Sequence, residues 1–173
     1  MHALIETSQE FSSLNAQAKA IAAGLISGIA AEQTSQIIPA NTAISSLPGS
    51  KGKVLHIREG NFTYGLDGKK LFVIEEGDLT GFENLLPLQP GSLSSEFAVI
   101  VDSYKMQDIL SACAADPQKF TALNQYFQVK IQLLESIISS ALKTEVELSP
   151  VFKNFSPGDI IIEQNSQDKE VYT

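Results

Sequence analysis

The chain opens the same module twice, and that limits what it can fold into. Near the front it reads Ile38-Pro39-Ala40-Asn41-Thr42-Ala43-Ile44, then a polar stretch, then Val54-Leu55-His56. Near the end it reads Ser156-Pro157-Gly158-Asp159-Ile160-Ile161-Ile162, a polar stretch, and Val171-Tyr172-Thr173. Pro39 and Pro157 stand 118 positions apart, as do Ile44 and Ile162, while Val54 and Val171 stand 117 apart. Recurrence at that distance means that a whole domain and its connection repeat. The first copy continues into a sheet and a long helix; the second stops in mid-strand. The chain is therefore a fragment of a tandem protein or one domain with an additional tail.

A length of 173 residues fits one domain and part of another, and 43% hydrophobic residues support a packed core. The net charge of −8 opposes nucleic acid, whose phosphates require a Lys/Arg surface, and an anionic membrane face alike. The single cysteine, Cys113, excludes an internal disulfide and fits a reducing compartment, where a buried structural thiol is expected. Residues 1–10 carry Glu6 and Glu10 but no Lys or Arg, so the basic start of a signal peptide is missing. Ala20 to Ala31 is apolar but shorter than the roughly 20 residues that span a bilayer. A cytoplasmic location is expected.

Helical spacing of Phe11, Leu14, Ala18, Ile21, Leu25 and Ile29 predicts a first helix from Ser8 to about Gln33, covering one end of a sheet. From Ile37 to Val101 short β-rich runs alternate with Gly, Asn, Asp and Pro. Val54–Ile57, Phe62–Tyr64, Lys70–Ile74 and a central Phe97–Val101 are predicted strands, with a hairpin turn at Leu66-Asp67-Gly68. Many short, evenly spaced strands argue for an antiparallel sandwich or barrel. Asp102 or Ser103 is expected to cap a short helix through Ala112. Asp116-Pro117 then opens a long helix, with Asp as cap and Pro at the first helical position. Phe120, Leu123, Phe127, Leu134, Ile137 and Ala141 form a heptad-like series, with Lys130 interrupting it and Ile131 and Ile138 one position beyond. A helix of about 27 residues runs roughly 40 Å, more than a small sandwich needs for cover. The overhanging seam predicts a homodimer through helix 117–142.

This order of motifs resembles the cyclic-nucleotide-binding domain family, the jelly-roll sensors of catabolite activator proteins and of cyclic-nucleotide-regulated kinases and channels. The family's opening Pro-Gly turn is similar to Pro39–Ile44, its Gly-[Asp/Ser/Glu] turn to Gly49-Ser50, and its Tyr-x-Ile-x-x-Gly strand to Leu55–Gly60. Its Gly-Asp-x-x-Gly-Glu turn is similar to Gly77-Asp78-Leu79-Thr80-Gly81-Phe82-Glu83, and its exit helices to Tyr104–Leu142. The resemblance implies an antiparallel β jelly roll with an N-terminal helix and a long C-terminal helix. It divides the chain into an N-terminal helical segment (1–36), a jelly roll (37–115), a dimerisation helix and linker (116–148), and the truncated start of a second jelly roll (149–173). That start, with two strands and nothing to complete them, is expected to be disordered or to add to a neighbouring chain's sheet.

The resemblance also implies a phosphate pocket: backbone N–H groups at a short helix start, a Glu for the ribose, and an Arg in an Arg-Ser-Ala run. Its counterpart here is Gly77, Gly81, Phe82, Glu83, Ser94 and Ser95. Phe82 stands where the Glu belongs, Ser94-Ser95-Glu96-Phe97 replaces the Arg run, and Leu71 to Tyr104 holds six acids and no Lys or Arg. Burying an unpaired anion costs several kcal/mol, and neighbouring carboxylates add repulsion. The pocket is therefore expected to be degenerate, walled by carboxylates with no cation nearby. Phe82 to Leu86 is expected to remain as a short helix ended by Pro87.

Other chemistry is sparse. His2 and His56 are the only histidines, too few for a metal-binding cupin. Cys113 has no motif joining it to a histidine. Leu47–Lys53 lacks the spacing of a phosphate loop, and Glu75-Glu76-Gly77-Asp78 lacks that of a calcium loop. The leading reading is a non-enzymatic regulatory and assembly module without metal or cofactor. The alternative is a functional cAMP or cGMP sensor domain, for which a cyclic mononucleotide is the ligand.

Overall fold

The computed structural model describes residues 2–3, 9–44, 52–66, 68–82 and 92–147. The elements run β1 (His2–Ala3), α1 (Gln9–Ile26), β2 (Gln33–Ile38), β3 (Lys53–Glu59), β4 (Asn61–Leu66), β5 (Lys69–Glu75), β6 (Leu79–Thr80), β7 (Ser92–Ser94), β8 (Val99–Lys105), α2 (Met106–Ala115) and α3 (Pro117–Glu147). One sheet has the order β1-β5-β4-β7 and the other β2-β8-β3-β6, with every pairing antiparallel. The architecture is the expected antiparallel jelly roll, flanked by an N-terminal and a long C-terminal helix.

Alternation along the strands builds its interior. Phe62, Ile74 and Leu93 from one sheet meet Ile38, Leu55, Ile57, Val99 and Val101 from the other in one core cluster. Phe62, Ile57, Val99 and Val101 are inaccessible to solvent, and each such side chain contributes roughly 1.5–3 kcal/mol by leaving water. A second cluster joins the helices to the outer side: Leu25 of α1, Val54 of β3, Leu79 of β6, Tyr104 of β8, Ile109 and Cys113 of α2, and Leu123 and Tyr126 of α3. In a third cluster, Phe11 and Ala18 of α1 pack on Val129 and Leu133 of α3.

The structure corrects three expected boundaries. The first helix ends at Ile26, not Gln33. Gly28 takes φ +75°, a left-handed terminus, and Gln33–Ile38 pairs with β8 as a strand. Phe97 is 76% exposed; the last strand begins at Val99, because Ser95–Phe97 carries the chain from one sheet to the other. That strand is central, as expected, between β2 and β3. Asp102 and Ser103 lie within β8 and cap no helix; α2 starts at Met106, and Lys105 before it makes no capping side-chain bond. The Asp116 cap is as expected: its Oδ1 accepts the Gln118 N–H at 2.8 Å, with Pro117 at the first position of α3.

β2 carries a bulge. Between Gln33 and Gln36 its register against β8 shifts. Ser35 takes φ +50°, and its N–H turns to the Asp102 carboxylate at 2.8 Å.

The predicted turn residue Asp67, the loop Leu47–Lys51, the helix expected beyond Phe82 and the second module opening, 149–173, lie outside the described residues.

Candidate functional site

The turn between β5 and β6 is built to close on itself. Asp78 is 1% exposed. Its Oδ2 accepts the Glu75 N–H at 3.0 Å, and its N–H donates to the Glu75 carbonyl at 2.9 Å. The Gly77 N–H donates to the Ile57 carbonyl at 2.9 Å, and the Ile57 N–H donates to the Asp78 carbonyl at 3.0 Å. The turn is thereby tied to β3. Gly81 ends the segment at φ +116°, and a Cβ there would collide with the Lys53 carbonyl oxygen. Only glycine meets both conditions.

Two lysines reach this acidic turn from the helices. Lys130 of α3 places Nζ 3.3 Å from Asp78 Oδ1, with 18% of its side chain exposed. It also stands 5.7 Å from the Tyr126 ring centroid. Lys19 of α1 pairs with Glu75 at 2.9 Å, and Asn15 donates to the same oxygen at 3.3 Å. Farther round the sandwich Arg58 pairs with Asp102 at 3.2 Å and Lys70 with Glu96. The expectation of carboxylates without a nearby cation is therefore corrected. The stretch itself holds no basic residue, but the tertiary fold supplies one to each of these four acids.

Of the six expected site residues, Gly77 and Gly81 flank β6. Phe82 is 6% exposed and turns into the helical layer, where it meets Tyr126 (ring centroids 5.9 Å apart) and Phe127 (5.5 Å). Ser94 ends β7, opposite Thr63 on β4 and bridged to Ala43. Ser95 is buried; its carbonyl accepts the Asn41 N–H at 2.7 Å, and its hydroxyl finds no hydrogen-bond partner among the described residues. Glu83 lies outside the described residues.

The cavity of this region lies beside those residues, and none of the five described ones lines it. It measures about 220 Å3 and is lined by Tyr64, Phe72, Ile74, Leu79, Thr80, Leu93, Lys130 and Leu134. Strands β4 to β7 supply the first six, and α3 closes the cavity with Lys130 and Leu134. Tyr64 and Phe72 are cross-strand partners whose rings stack at 4.7 Å and 8°. Tyr126 supports the closing helix by donating to the Leu79 carbonyl at 3.0 Å. The described walls are apolar, with Thr80 and Lys130 as the polar exceptions, not carboxylate as expected. The sequence signal for this was Lys130 itself, a charge interrupting an apolar stripe.

The helical seam is corrected as well. Leu123 and Lys130 turn toward the chain's own sandwich, and Ile137 packs with the α1–α3 cluster. The outward side of α3 instead presents Phe120, Asn124, Ile131 and Ile138, while Phe127 packs inward on Phe82 and Leu134 stands at the edge of the cavity. Phe120, Ile131 and Ile138 are each more than half exposed, and Leu134 is 38% exposed.

His56 lies on β3 opposite Asp102. Burial, and secondarily the Arg58 charge, lower its pKa from the ordinary 6.5. Its Nδ1 is buried and has no hydrogen-bond partner among the described residues. Burial raises the Cys113 thiol above its usual value. Among the described residues no group of three or more His, Cys, Asp or Glu could hold a metal, and no helix is long and apolar enough to cross a membrane.

No protein-family model matches the chain, and no curated protein matches it. Among solved structures, it is similar to a provisionally named cyclic-nucleotide-binding protein from Geobacter metallireducens GS-15 (12% identity, 57% of this chain and 76% of that one, TM-score 0.46). It is also similar to the heme domain of CooA from Rhodospirillum rubrum (16% identity, 72% and 85%, TM-score 0.44). A third likeness is the second cyclic-nucleotide-binding domain of a protein kinase A regulatory subunit bound to Sp-2Cl-cAMPS (13% identity, 71% and 93%, TM-score 0.41).

Proposed function

We propose that this chain is a non-enzymatic regulatory and assembly module. Its jelly roll is cyclic-nucleotide-binding-like, with a degenerate phosphate site, and it dimerises through α3. One observation carries the reading. The ammonium groups at the Gly77–Gly81 turn are already engaged by the chain's own acids, Lys130 by Asp78 and Lys19 by Glu75. A cyclic phosphate entering there would compete with a nearly buried carboxylate for Lys130. Phe82, where the family resemblance requires a ribose-binding acid, is committed to the aromatic packing of the helices.

Assembly follows from the outer face of α3. Asn124, Ile131 and Ile138 recur there at the seven-residue spacing of one position of a two-stranded coiled coil, and Asn124 is the kind of polar residue that fixes register. A second copy of the same helix presents the same row, so the seam is self-complementary. Residues 149–173, on their sequence, open a second jelly roll that this helix leads into.

The test is titration calorimetry with cAMP and cGMP, together with light scattering. The expected result is a dimer that binds neither nucleotide at micromolar concentrations. Micromolar binding of either one would overturn the degenerate site in favour of a working sensor, and a monomer would overturn the assembly role.

A further inference from the structure

We propose that His56 makes the docking of α3 acid-sensitive: a proton taken up by its imidazole releases the helix from β6 and the turn before it. This rests on the assembly reading above, because α3 is the helix that carries the outer seam.

The imidazole stands where the helix is anchored. His56 and Val54 share one side of β3, and Val54 is fully buried in the cluster that joins the three helices to the sheet. Pairing sets His56 opposite Leu79 on one flank of β3 and opposite Asp102 on the other. The Leu79 carbonyl accepts the Tyr126 hydroxyl of α3 at 3.0 Å, and the preceding Asp78 takes Lys130 of α3 at 3.3 Å. Two polar anchors of α3 therefore land on the residue facing His56 and on its neighbour.

The surroundings disfavour a proton on that imidazole while α3 is docked. On β3 itself, Arg58 opposes a second cation. The Asp102 carboxylate on β8 already holds Arg58 at 3.2 Å and the Ser35 N–H at 2.8 Å. The Asp78 carboxylate already holds Lys130 and, at 3.0 Å, the Glu75 N–H. From α1, Lys19 adds a further cation at Glu75. Nδ1 is buried and finds no partner among the described residues. Burial first, then Arg58, keeps the imidazole neutral to a lower pH than its ordinary 6.5, against the smaller pull of Asp102 and Asp78. An imidazolium there must either gain water or draw Asp78 away from Lys130. Both events loosen α3. A proton is disfavoured in the docked state and accepted normally in the released one, so acidification below 6.5 favours release and neutral pH favours docking.

The experiment follows amide hydrogen exchange of the whole chain at about pH 7.5 and 5.5, corrected for intrinsic exchange, beside sedimentation equilibrium at the higher pH. Amides of α3 from Leu123 to Leu133 should exchange at least about tenfold faster at the lower pH, while those of β3 and β8 keep their protection. His56→Gln removes the titrating group and should reduce that change to under about twofold. Arg58→Gln removes the cation that opposes the imidazolium and should move the release to higher pH. The inference is overturned if α3 exchanges alike at both pH values, if β3 and β8 lose protection together with α3, or if the folded variants keep the parent's response. Arg58→Gln decides alone where His56→Gln does not fold. A dimer whose α3 ignores acid defeats this inference alone; a monomer at the higher pH defeats the reading beneath it.

Discussion

Lys130 Nζ stands 3.3 Å from Asp78 Oδ1, joining residues 52 positions apart across the boundary between helix and sheet. Both side chains are largely removed from water, and Asp78 also holds the Glu75 N–H. Removing one member of such a pair is costlier than replacing both. Asp78→Ala should lower unfolding free energy by about 3 kcal/mol, and Lys130→Met/Asp78→Asn by clearly less. Urea denaturation of the two proteins checks the order; equal losses would show that the pair contributes nothing as a unit.

Gly81 and Gly24 should respond oppositely to alanine. At Gly81 a side chain meets the Lys53 carbonyl and an unfavourable φ, so Gly81→Ala should cost about 2 kcal/mol or more. Gly24 lies within α1 with open space at its Cβ position, so Gly24→Ala should gain about 0.5–1 kcal/mol. Melting temperatures moving in opposite directions are the expected signature.

The outer seam of α3 can be broken without touching the core. Ile131→Glu and Ile138→Glu place carboxylates at side chains 55% and 57% exposed. Each should weaken self-association by roughly 100-fold while far-UV dichroism stays unchanged. Leu123→Glu, at a position 7% exposed within the chain's own helix cluster, should unfold the protein. Sedimentation equilibrium distinguishes the two outcomes.

His56 is expected to make stability depend on pH, with a sign set by its lowered pKa. Its folded pKa lies below 6.5 because burial, then Arg58, disfavours the imidazolium. Between that lowered value and 6.5 the unfolded chain binds more protons, so stability falls as the solution is acidified through this window. The effect is fully developed below the folded pKa and absent well above 6.5. His56→Gln should flatten the urea midpoint between pH 7 and 5.5, and an unchanged slope would assign the effect to another group.

The alternating strands were legible because burial on one face leaves a period-two record. β3, β4 and β5 lie within a residue or two of their expected limits. The Asp116-Pro117 start of α3 was legible because it is a local signal. What failed was chemistry set by distant residues. Nothing near Asp78 in the chain indicates that Lys130 and Lys19 converge on its turn. The inward and outward sides of α3 also could not be separated from spacing alone, because Leu123 and Asn124 are both compatible with a heptad beginning at Phe120. Of the expected pocket, the turn glycines Gly77 and Gly81 were picked out by the family resemblance alone, and both take positive φ. The aromatic wall of Tyr64 and Phe72 was missed, since each looks like an ordinary strand residue until the pairing register sets them together.

The bulge at Ser35 has a consequence for how this protein behaves when concentrated. β2 ends its sheet's order among the described residues, and a straight outermost strand is a template for another chain's backbone. Here the positive φ and the Asp102 carboxylate turn one peptide out of line, so the outward row of N–H and C=O groups loses its even spacing midway. An incoming strand could zip along only a few residues before losing step. A single acid on the neighbouring strand thus serves as a guard against fibre growth, at the sheet margin farthest from the cavity-closing helix contact at β6.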